Sequence, residues 1–240
     1  MTIVMPMAGR GTRFSQKGFI VPKPFILVSG KPIYGWALDS ILDLNFTKLI
    51  LIALKEHADQ FNIIEHVPKK IRERTQLILL DEPTEGQLCT VLASKEYLSG
   101  NDDLLIISSD TYVESDIGTA ILNQKSKSKG LISVANLQGD RWSFAKTDGM
   151  GKVTEVAEKI RISDYASTGL YYFRASCDFI TIGKKIVQQK QKQKGEYFII
   201  PIYQEMINRG DYIGISIAQR IIDLGTPEAL AEFNMNRRGG

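Results

Sequence analysis

The chain has 240 residues, 43% hydrophobic and 24% charged, which is long enough for one large α/β domain with a full core. Its net charge of +3 is small and its basic residues are scattered, which argues against a nucleic-acid-binding protein. No stretch approaches the roughly 18 apolar residues that span a bilayer, and no signal-peptide pattern opens the sequence. We expect a cytoplasmic protein with no membrane partner, and the sequence is compatible with a homo-oligomer.

The first half of the sequence alternates between strand and helix patterns. Apolar runs with the length of buried strands occur at residues 3–5, 49–54, 76–80 and 104–107. Apolar side chains at helical spacing occur between these runs, at residues 32–44, 56–65 and 85–98. Such alternation predicts a parallel sheet with helices on both of its faces.

The pattern changes after about residue 130, where strands are separated by fewer helices. Strands are predicted at residues 131–137, 153–157, 167–173 and 212–218, and helices at 177–194, 199–208 and 226–234. Mixed strand directions are therefore expected in this half. We predict an α/β fold, a three-layer α/β/α Rossmann-like domain with a mixed, mostly parallel central sheet. No linker or repeat divides the sequence, so residues 1–240 are expected to form a single domain.

A glycine-containing loop, Gly9-Arg10-Gly11-Thr12-Arg13, follows the first predicted strand, and Pro22-Lys23-Pro24 comes shortly after it. The glycines allow a tight turn whose N–H groups can hold anionic oxygens, while Arg13 and Lys23 supply two cations. This combination predicts a polyphosphate site, although an ordinary strand-to-helix turn with exposed cations is the alternative. The loop matches neither the Walker A pattern nor the dinucleotide fingerprint, because Phe14 stands where the latter has its third glycine.

Two acidic residues are candidates for binding a cation. Asp110 follows the predicted strand at residues 104–107, so it and the glycine loop are expected to face one cleft at the carboxyl ends of the strands. Asp223 begins the segment Asp223-Leu224-Gly225-Thr226-Pro227. Mg²⁺ takes one or two protein carboxylates together with phosphate oxygens. The alternatives are a helix N-cap or turn residue at Asp110 and a simple loop acid at Asp223.

Together these motifs resemble those of the nucleotidylyltransferases that activate sugar 1-phosphates and related phosphorylated small molecules, including the small cytidylyltransferases. The opening Gly-x-Gly-Thr-Arg with Pro-Lys-Pro is similar to the family's triphosphate loop, and Asp-x-Gly-Thr-Pro-Glu to its closing motif. Two internal segments, residues 156–159 and 167–173, resemble its acceptor-binding segments. The resemblance extends from Met5 to about Leu230 and implies a nucleotide-diphospho-sugar transferase fold.

The resemblance implies Mg²⁺-dependent transfer of a nucleoside monophosphate from a nucleoside triphosphate to a phosphorylated acceptor, with release of pyrophosphate. Residues 1–130 would form the nucleotide-binding half and residues 131–240 the acceptor-binding half. Arg13 and Lys23 would be catalytic, and Asp110 and Asp223 would bind the metal. The implied nucleotide contacts are Met7, Ala8, Gly9, Gly11, Thr12, Arg13, Lys23, Gln87, Ser109 and Asp110. The implied acceptor contacts are Glu158, Lys159, Thr168 and Gly169.

Departures from the family pattern leave the acceptor open. Ala157 interrupts the usual Val-Glu spacing and Thr168 replaces a smaller residue, both in the acceptor segments, while Ser109 replaces a common glycine. A non-sugar acceptor such as choline phosphate or phosphoglutamine is therefore an alternative to a sugar 1-phosphate. We expect a pyrimidine triphosphate, with CTP slightly favoured. Lys146 is a candidate contact for an anionic acceptor, although a side chain whose stem packs and whose head is solvated is the favoured interpretation. No acyltransferase repeat is expected.

Two other functions are compatible with parts of the pattern. A glycosyltransferase would bind a finished nucleotide sugar, but its usual Asp-x-Asp is absent at Ser108-Ser109-Asp110. A noncatalytic nucleotide-binding module would not need Asp223. His57 and His66 are interpreted as surface residues, and Cys89 and Cys177 as buried free thiols. Residues 188–194, rich in Gln and Lys, are interpreted as a solvated helix end.

Overall fold

The structure is a computed structural model that describes residues 1–238. Its strands are β1 (Thr2–Pro6), β2 (Leu27–Val28), β3 (Lys31–Pro32), β4 (Lys48–Leu54), β5 (Thr75–Leu80), β6 (Leu104–Ile107), β7 (Thr111–Ser115), β8 (Gly130–Ala135), β9 (Ser143–Thr147), β10 (Val153–Glu158), β11 (Ala166–Phe173) and β12 (Ile213–Asp223). Its α-helices are α1 (Thr12–Gln16), α2 (Ile33–Asp39), α3 (Lys55–Gln60), α4 (Lys69–Arg72), α5 (Gln87–Leu92), α6 (Ile117–Gln124), α7 (Ser176–Gln188), α8 (Ile200–Asn208) and α9 (Pro227–Arg238). None of the helices in residues 1–238 is both long enough and apolar enough to cross a bilayer.

Ten of the strands form one continuous sheet. Its order is β5-β4-β1-β6-β11-β8-β12-β7, and the β9–β10 hairpin joins it where Phe144 lies opposite Ala166. Strands β5, β4, β1 and β6 are parallel, and β8 and β12 run in the same direction. Only β11 and β7 point the other way along this order. The prediction of a mixed, mostly parallel central sheet is confirmed.

The sheet is covered by helices on both faces. Successive side chains of a strand point to opposite faces, so Ile3 and Met5 of β1 enter one apolar layer and Val4 enters the other. Helices α2, α4 and α6 contribute to the first layer, and α5, α7 and α8 to the second. The three-layer arrangement predicted from the alternating elements is therefore confirmed.

A smaller apolar cluster joins the beginning of the chain to its last described helix. Phe14 of α1, which is 1% exposed, packs together with Leu224 and with Leu230 of α9. Burial of a side chain of this size contributes about 1.5–3 kcal/mol to the free energy of folding. The cluster therefore holds the glycine loop next to residues 223–225.

The observed elements differ from the predicted ones in several places. Strand β7 begins directly after Asp110, so the alternative of a helix N-cap at that residue is wrong. Strand β9 was not expected, and it exposes Lys146, which does not line the cavity described below. Helix α7 ends at Gln188, so the basic segment that follows is not helical and instead forms turns.

The histidine and cysteine environments also differ from expectation. His57 is buried, and its ring packs edge-to-face on Phe25 with 5.4 Å between centroids, so its assignment to the surface is wrong. His66 is exposed, as expected. Both cysteines are free thiols, but Cys177 is exposed and Cys89 is half-buried, so the expectation of two buried thiols is wrong.

Candidate active site

The glycine loop turns sharply between β1 and α1. Gly11 precedes the first residue of α1 in the left-handed conformation, with φ 59°, a region that glycine enters without a Cβ penalty. A Cβ on Gly11 would also lie 3.2 Å from the Cβ of Lys23. The residue therefore lets the loop pack closely against the Pro-Lys-Pro segment, and places Lys23 beside the loop.

Lys23 and Asp110 form a partly buried ion pair. The Lys23 Nζ lies 2.6 Å from Asp110 Oδ2, and each side chain is 23% exposed. Burial alone would raise the pKa of the Asp110 carboxyl, but the charge and hydrogen bond of Lys23 outweigh it and hold that pKa below its ordinary value. Asp110 is therefore a carboxylate near neutral pH.

Asp223 is brought to Asp110 by the pairing of β12 with β7. Asp223 lies opposite Thr111, and the backbone N–H of Leu224 donates to the carbonyl of Asp110 over 2.8 Å. The Asp223 Oδ1 accepts from the N–H of Gly225 at 2.9 Å, and Oδ2 accepts from the guanidinium of Arg141. The two acids, far apart in sequence, thus lie side by side.

Gly225 leaves open the space between the two carboxylates. A Cβ at this residue would lie 2.9 Å from Asp110 Oδ2 and 3.0 Å from Asp223 Oδ1. Both oxygens therefore border the same space, and carboxylate oxygens are ligands that Mg²⁺ accepts. Among residues 1–238 no group of three or more potential ligand side chains is found, so other ligands of such a cation would come from substrate or water.

The residues to which the family resemblance assigns a role line one cavity of about 710 Å³, whereas Lys146 does not. Around the triphosphate loop these are Met7, Ala8, Gly9, Gly11, Thr12, Arg13, Lys23, Gln87, Ser109 and Asp110. From the second half of the chain they are Glu158, Lys159, Thr168, Gly169 and Asp223. The cavity lies at the carboxyl ends of β1 and β6, which is where an open α/β sheet binds its ligands.

The acceptor candidates are organised by a hydrogen-bonded chain. The Tyr171 hydroxyl donates to Ser143 Oγ over 3.3 Å, and Ser143 donates in turn to Glu158 Oε2. Burial raises the pKa of Glu158, opposed by the Ser143 hydrogen bond and the charge of Lys159, whose Nζ is 4.0 Å from Oε1. Burial, reinforced by the Glu158 charge, also raises the pKa of Tyr171, to about 12. One carboxylate oxygen of Glu158 is thus occupied, and the other faces a cation.

Gly169 permits close contact between β11 and the end of β6. Its φ is +88°, and a Cβ would lie 2.3 Å from Ser108 Oγ, so no other residue fits without displacement. Its carbonyl accepts from the Ser108 N–H at 2.9 Å. The neighbouring Thr168 donates its hydroxyl to Ser133 Oγ at 2.8 Å, which directs that group into the fold.

Gln87 is the first residue of α5 and lines the cavity beside the loop at residues 83–86. That loop is fixed by the segment after α7, because the Tyr197 N–H donates to the Glu85 carbonyl at 2.9 Å. Phe198 from the same segment lines the cavity and carries Lys159 over its ring, 4.4 Å from the centroid. The basic segment after α7 therefore leads into a wall of the site.

The lining residues that were not identified from the sequence include Arg141, Ser143, Tyr171 and Phe198. The partners of Arg141 and Ser143 are 82 and 15 residues away, and no local pattern indicates such contacts. Tyr171 lay inside a segment already assigned to the acceptor pocket, and alternation along that strand could have shown that it shares a face with Gly169. The other three carry no comparable signal.

Comparison with known proteins identifies the family. The family model for nucleotidyl transferases matches residues 2–239. The chain belongs to this nucleotidyl transferase family. A relative in Haloferax volcanii, the UTP–glucose-1-phosphate uridylyltransferase AglF, is 26% identical over 236 residues, covering 95% of this chain and 93% of the relative. The resemblance inferred from the motifs is confirmed at this level.

Two further similarities extend the comparison. The bifunctional protein GlmU of Methanococcus aeolicus is 25% identical over 98% of this chain, which spans only about half of that relative, 54% of its length. The crystal structure of a nucleoside-diphosphate-sugar pyrophosphorylase from Vibrio cholerae RC9 matches with a TM-score of 0.83 at 27% identity, covering 97% of this chain and 99% of the other. A UDP-glucose pyrophosphorylase in complex with UDP-glucose has the same fold, with a TM-score of 0.79 at 15% identity.

Proposed function

We propose that this member of the family transfers a nucleoside monophosphate from a pyrimidine nucleoside triphosphate to a sugar 1-phosphate and releases pyrophosphate. The observation that carries the proposal is the convergence of the glycine loop, Lys23 and the paired acids Asp110 and Asp223 in one cavity with Glu158. The glycine loop, Lys23 and the two paired acids suit a triphosphate. Glu158 and the neighbouring Lys159 suit an acceptor that carries a hydroxyl group beside its phosphate.

The loop residues would hold the triphosphate through backbone N–H groups, and Arg13 and Lys23 would neutralise its anionic oxygens. Arg13 is exposed at the cavity, with no ion pair among residues 1–238, so its charge is available to a departing pyrophosphate. Gln87 offers both a donor and an acceptor to the edge of a base. Lys159 would pair with the phosphate of the acceptor, and Glu158 would accept from its hydroxyl groups.

Asp110 and Asp223 are the residues that would hold Mg²⁺. Their donor set suits this ion, since both are carboxylates, and Gly225 keeps the space between them clear. When bound, Mg²⁺ supplies positive charge against the phosphate oxygens at the reacting centre. Lys23 already neutralises Asp110 in the structure, so this lysine would turn to the triphosphate when a metal–nucleotide complex binds.

The reaction itself asks for positioning more than for proton transfer. An oxygen of the acceptor phosphate attacks the α-phosphorus, the bond from that phosphorus to the bridging oxygen breaks, and pyrophosphate leaves. The phosphate oxygen is already an anionic nucleophile, so no general base is required. The side chains of this chain would contribute by orienting the two substrates and by neutralising their charge.

For the base and the acceptor, we give more weight to the substrates named for the relatives than to the departures from the family motifs. AglF is named for UTP and glucose 1-phosphate, which favours a uridylyl transfer over the CTP preference expected from the compact sequence. Ser143 and Glu158 form a polar pocket that suits hydroxyl groups, as a sugar presents. Choline phosphate and phosphoglutamine remain the alternatives that the experiment must include.

The test is pyrophosphate release by the purified protein. UTP, dTTP, CTP and a purine triphosphate would each be combined with glucose 1-phosphate, N-acetylglucosamine 1-phosphate, choline phosphate and phosphoglutamine. We expect release with a pyrimidine triphosphate and a sugar 1-phosphate, its loss with EDTA, and its restoration with excess Mg²⁺. Release with choline phosphate or phosphoglutamine alone would replace the acceptor proposed here. No release with any pair, despite nucleotide binding, would support a noncatalytic module.

A further inference from the structure

Arg141 is an unexpected part of the cavity wall. It lies in the connection between β8 and β9 and lines the cavity together with Trp142 and Ser143. Its guanidinium stacks on the Trp142 ring, 4.2 Å from the centroid, and donates to Asp223 Oδ2. The Lys159 N–H donates to the carbonyl of Trp142 over 2.8 Å, which fixes this connection beside the acceptor candidates.

Each of the two paired acids therefore forms an ion pair with a basic side chain. Lys23 pairs with Asp110, and Arg141 pairs with Asp223. The open point beside Gly225 lies within 3.0 Å of an oxygen from each acid. The side chains of Arg141 and Lys23 thus neutralise the same carboxylates that a divalent cation would neutralise.

The Arg141 ion pair is suited to exchange. Its side chain is 38% exposed, and ion pairs at such exposure contribute little to stability. Stacking on Trp142 is independent of Asp223, so the guanidinium keeps a support inside the cavity when that carboxylate takes another partner. A guanidinium held over an aromatic ring presents a planar fork of N–H donors that matches phosphate geometry.

We propose that Arg141 binds a phosphate group in this site. Asp223 holds the guanidinium of Arg141 until a divalent cation binds to the Asp223 carboxylate and replaces it. The proposal rests on the proposed function, since the phosphate belongs either to the nucleoside triphosphate or to the acceptor. This exchange couples binding of the cation to binding of the phosphate, because Asp223 releases the Arg141 side chain only when the cation has replaced its positive charge.

The first experiment measures Mn²⁺ binding to the nucleotide-free protein by electron paramagnetic resonance. Arg141→Gln removes the competing cation, so we expect it to bind Mn²⁺ about threefold more tightly than the wild type. Arg220→Gln is the matched control, because Arg220 is exposed on β12 three residues before Asp223 and forms no ion pair or side-chain hydrogen bond within residues 1–238. Equal effects of the two substitutions would overturn the exchange, since they would reflect net charge alone.

The second experiment measures phosphate binding at saturating Mg²⁺ by calorimetry, with UTP and with glucose 1-phosphate in separate titrations. We expect Arg141→Gln to weaken one of them about tenfold, and the ligand affected identifies which phosphate the guanidinium contacts. Arg141→Lys keeps the charge without the fork and should recover part of the loss. Unchanged affinity for both ligands, or binding of neither by the wild type, would overturn the phosphate-binding role.

These measurements separate the two proposals. Neither experiment requires the enzyme to turn over, because each ligand is titrated alone. If the wild type binds both ligands, Arg141→Gln loses affinity for one, and no pair releases pyrophosphate, then the proposed function fails and the role of Arg141 stands. If pyrophosphate is released and Arg141→Gln changes neither Mn²⁺ nor phosphate affinity, the role of Arg141 fails and the proposed function stands.

Discussion

Lys23 has a structural partner and a proposed substrate partner. In the structure its ammonium group neutralises Asp110, a carboxylate that is mostly buried. In the proposed reaction the same group would pair with the triphosphate while Asp110 contacts the metal. A substitution at Lys23 therefore removes both an internal contact and a substrate contact, and the two effects can be separated only by measuring stability along with rate.

We expect Lys23→Met to lower the rate of pyrophosphate release about 10²–10³-fold, because a preorganised cation next to the reacting phosphates is lost. The control is Lys17→Met, since Lys17 is exposed near the same loop and, within residues 1–238, pairs only with the exposed Glu228, at 3.5 Å. Steady-state rates at saturating substrates, with melting temperatures beside them, check this. Near-full turnover of Lys23→Met would contradict the assigned role.

Gly225 matters because it has no side chain to fill the space beside Asp110 and Asp223. In Gly225→Ala the added methyl group would stand between Asp110 Oδ2 and Asp223 Oδ1. We predict roughly tenfold weaker Mn²⁺ binding, measured as above, because the oxygens must move apart or lose access to one ion. Gly149→Ala is the control, since a Cβ there meets nothing within 4 Å. Equal Mn²⁺ affinity in the two variants would show that the ion binds elsewhere.

At the scale of elements, His57 connects helix α3 to the turn that carries Lys23. The ring packs on Phe25, the last residue of that turn, and its Nε2 lies 3.7 Å from a carboxylate oxygen of Glu56. Its Nδ1 is buried without a hydrogen-bond partner in the described part of the chain. Burial lowers the pKa of His57, although the charge of Glu56 opposes this effect.

This environment predicts a pH dependence of stability. Because the folded-state pKa of His57 is below its unfolded value of 6.5, the unfolded chain binds the proton more readily, and stability falls as the pH drops below that value. Urea unfolding at about pH 7.5 and about pH 5.5 should show a larger loss for the wild type than for His57→Gln. The control is His66→Gln, whose site is exposed. An equal loss in the wild type and His57→Gln would contradict this assignment.

The sequence predicts best the elements whose signal is local. Strand β6 has the bounds expected from its four apolar residues, and the glycine loop follows β1 as expected. Asp110 became a candidate because it follows strand β6, and the family resemblance implied a metal-binding role for it and for Asp223. Strand β7 was missed because its pairing partner is β12, about a hundred residues later in the chain.

What the sequence could not supply is contact between distant segments. Lys55 and Glu56 come just before His57 and suggest a solvated helix, but the fold brings Phe25 against the ring. Arg141 was not identified, because its partner Asp223 lies 82 residues later in the chain. His57 was misassigned and Arg141 was missed because burial and ion pairing depend on tertiary packing, to which neighbouring residues give no clue.

At the scale of the whole molecule, one continuous sheet joins the two proposed halves. Strand β11 of the second half pairs with β6 of the first over four residues, from Leu170 opposite Ile107 to Phe173 opposite Leu104. The apolar layers on both faces also include side chains from each half. The single domain expected from the sequence stays a prediction, and unfolding experiments can test it.

The two tryptophans provide a probe in each half. Trp36 lies on α2 and donates to the carbonyl of Val28 at 3.0 Å, whereas Trp142 lies in the cavity wall. Trp142→Phe and Trp36→Phe each leave one reporter, and we expect the fluorescence transition of each variant in urea to coincide with its own transition by circular dichroism. A fluorescence midpoint separated from the circular dichroism midpoint in either variant would indicate halves that unfold independently.

The bond from the Leu224 N–H to the Asp110 carbonyl has a consequence for biosynthesis. A nascent chain emerging from the ribosome can form the β-α-β units of its first half early, but Asp110 acquires its neighbouring acid only after more than a hundred further residues have been translated. Until then Lys23 is the partner that can neutralise it. Competence to bind a metal–nucleotide complex should therefore appear late in translation, once residues 223–225 have left the exit tunnel.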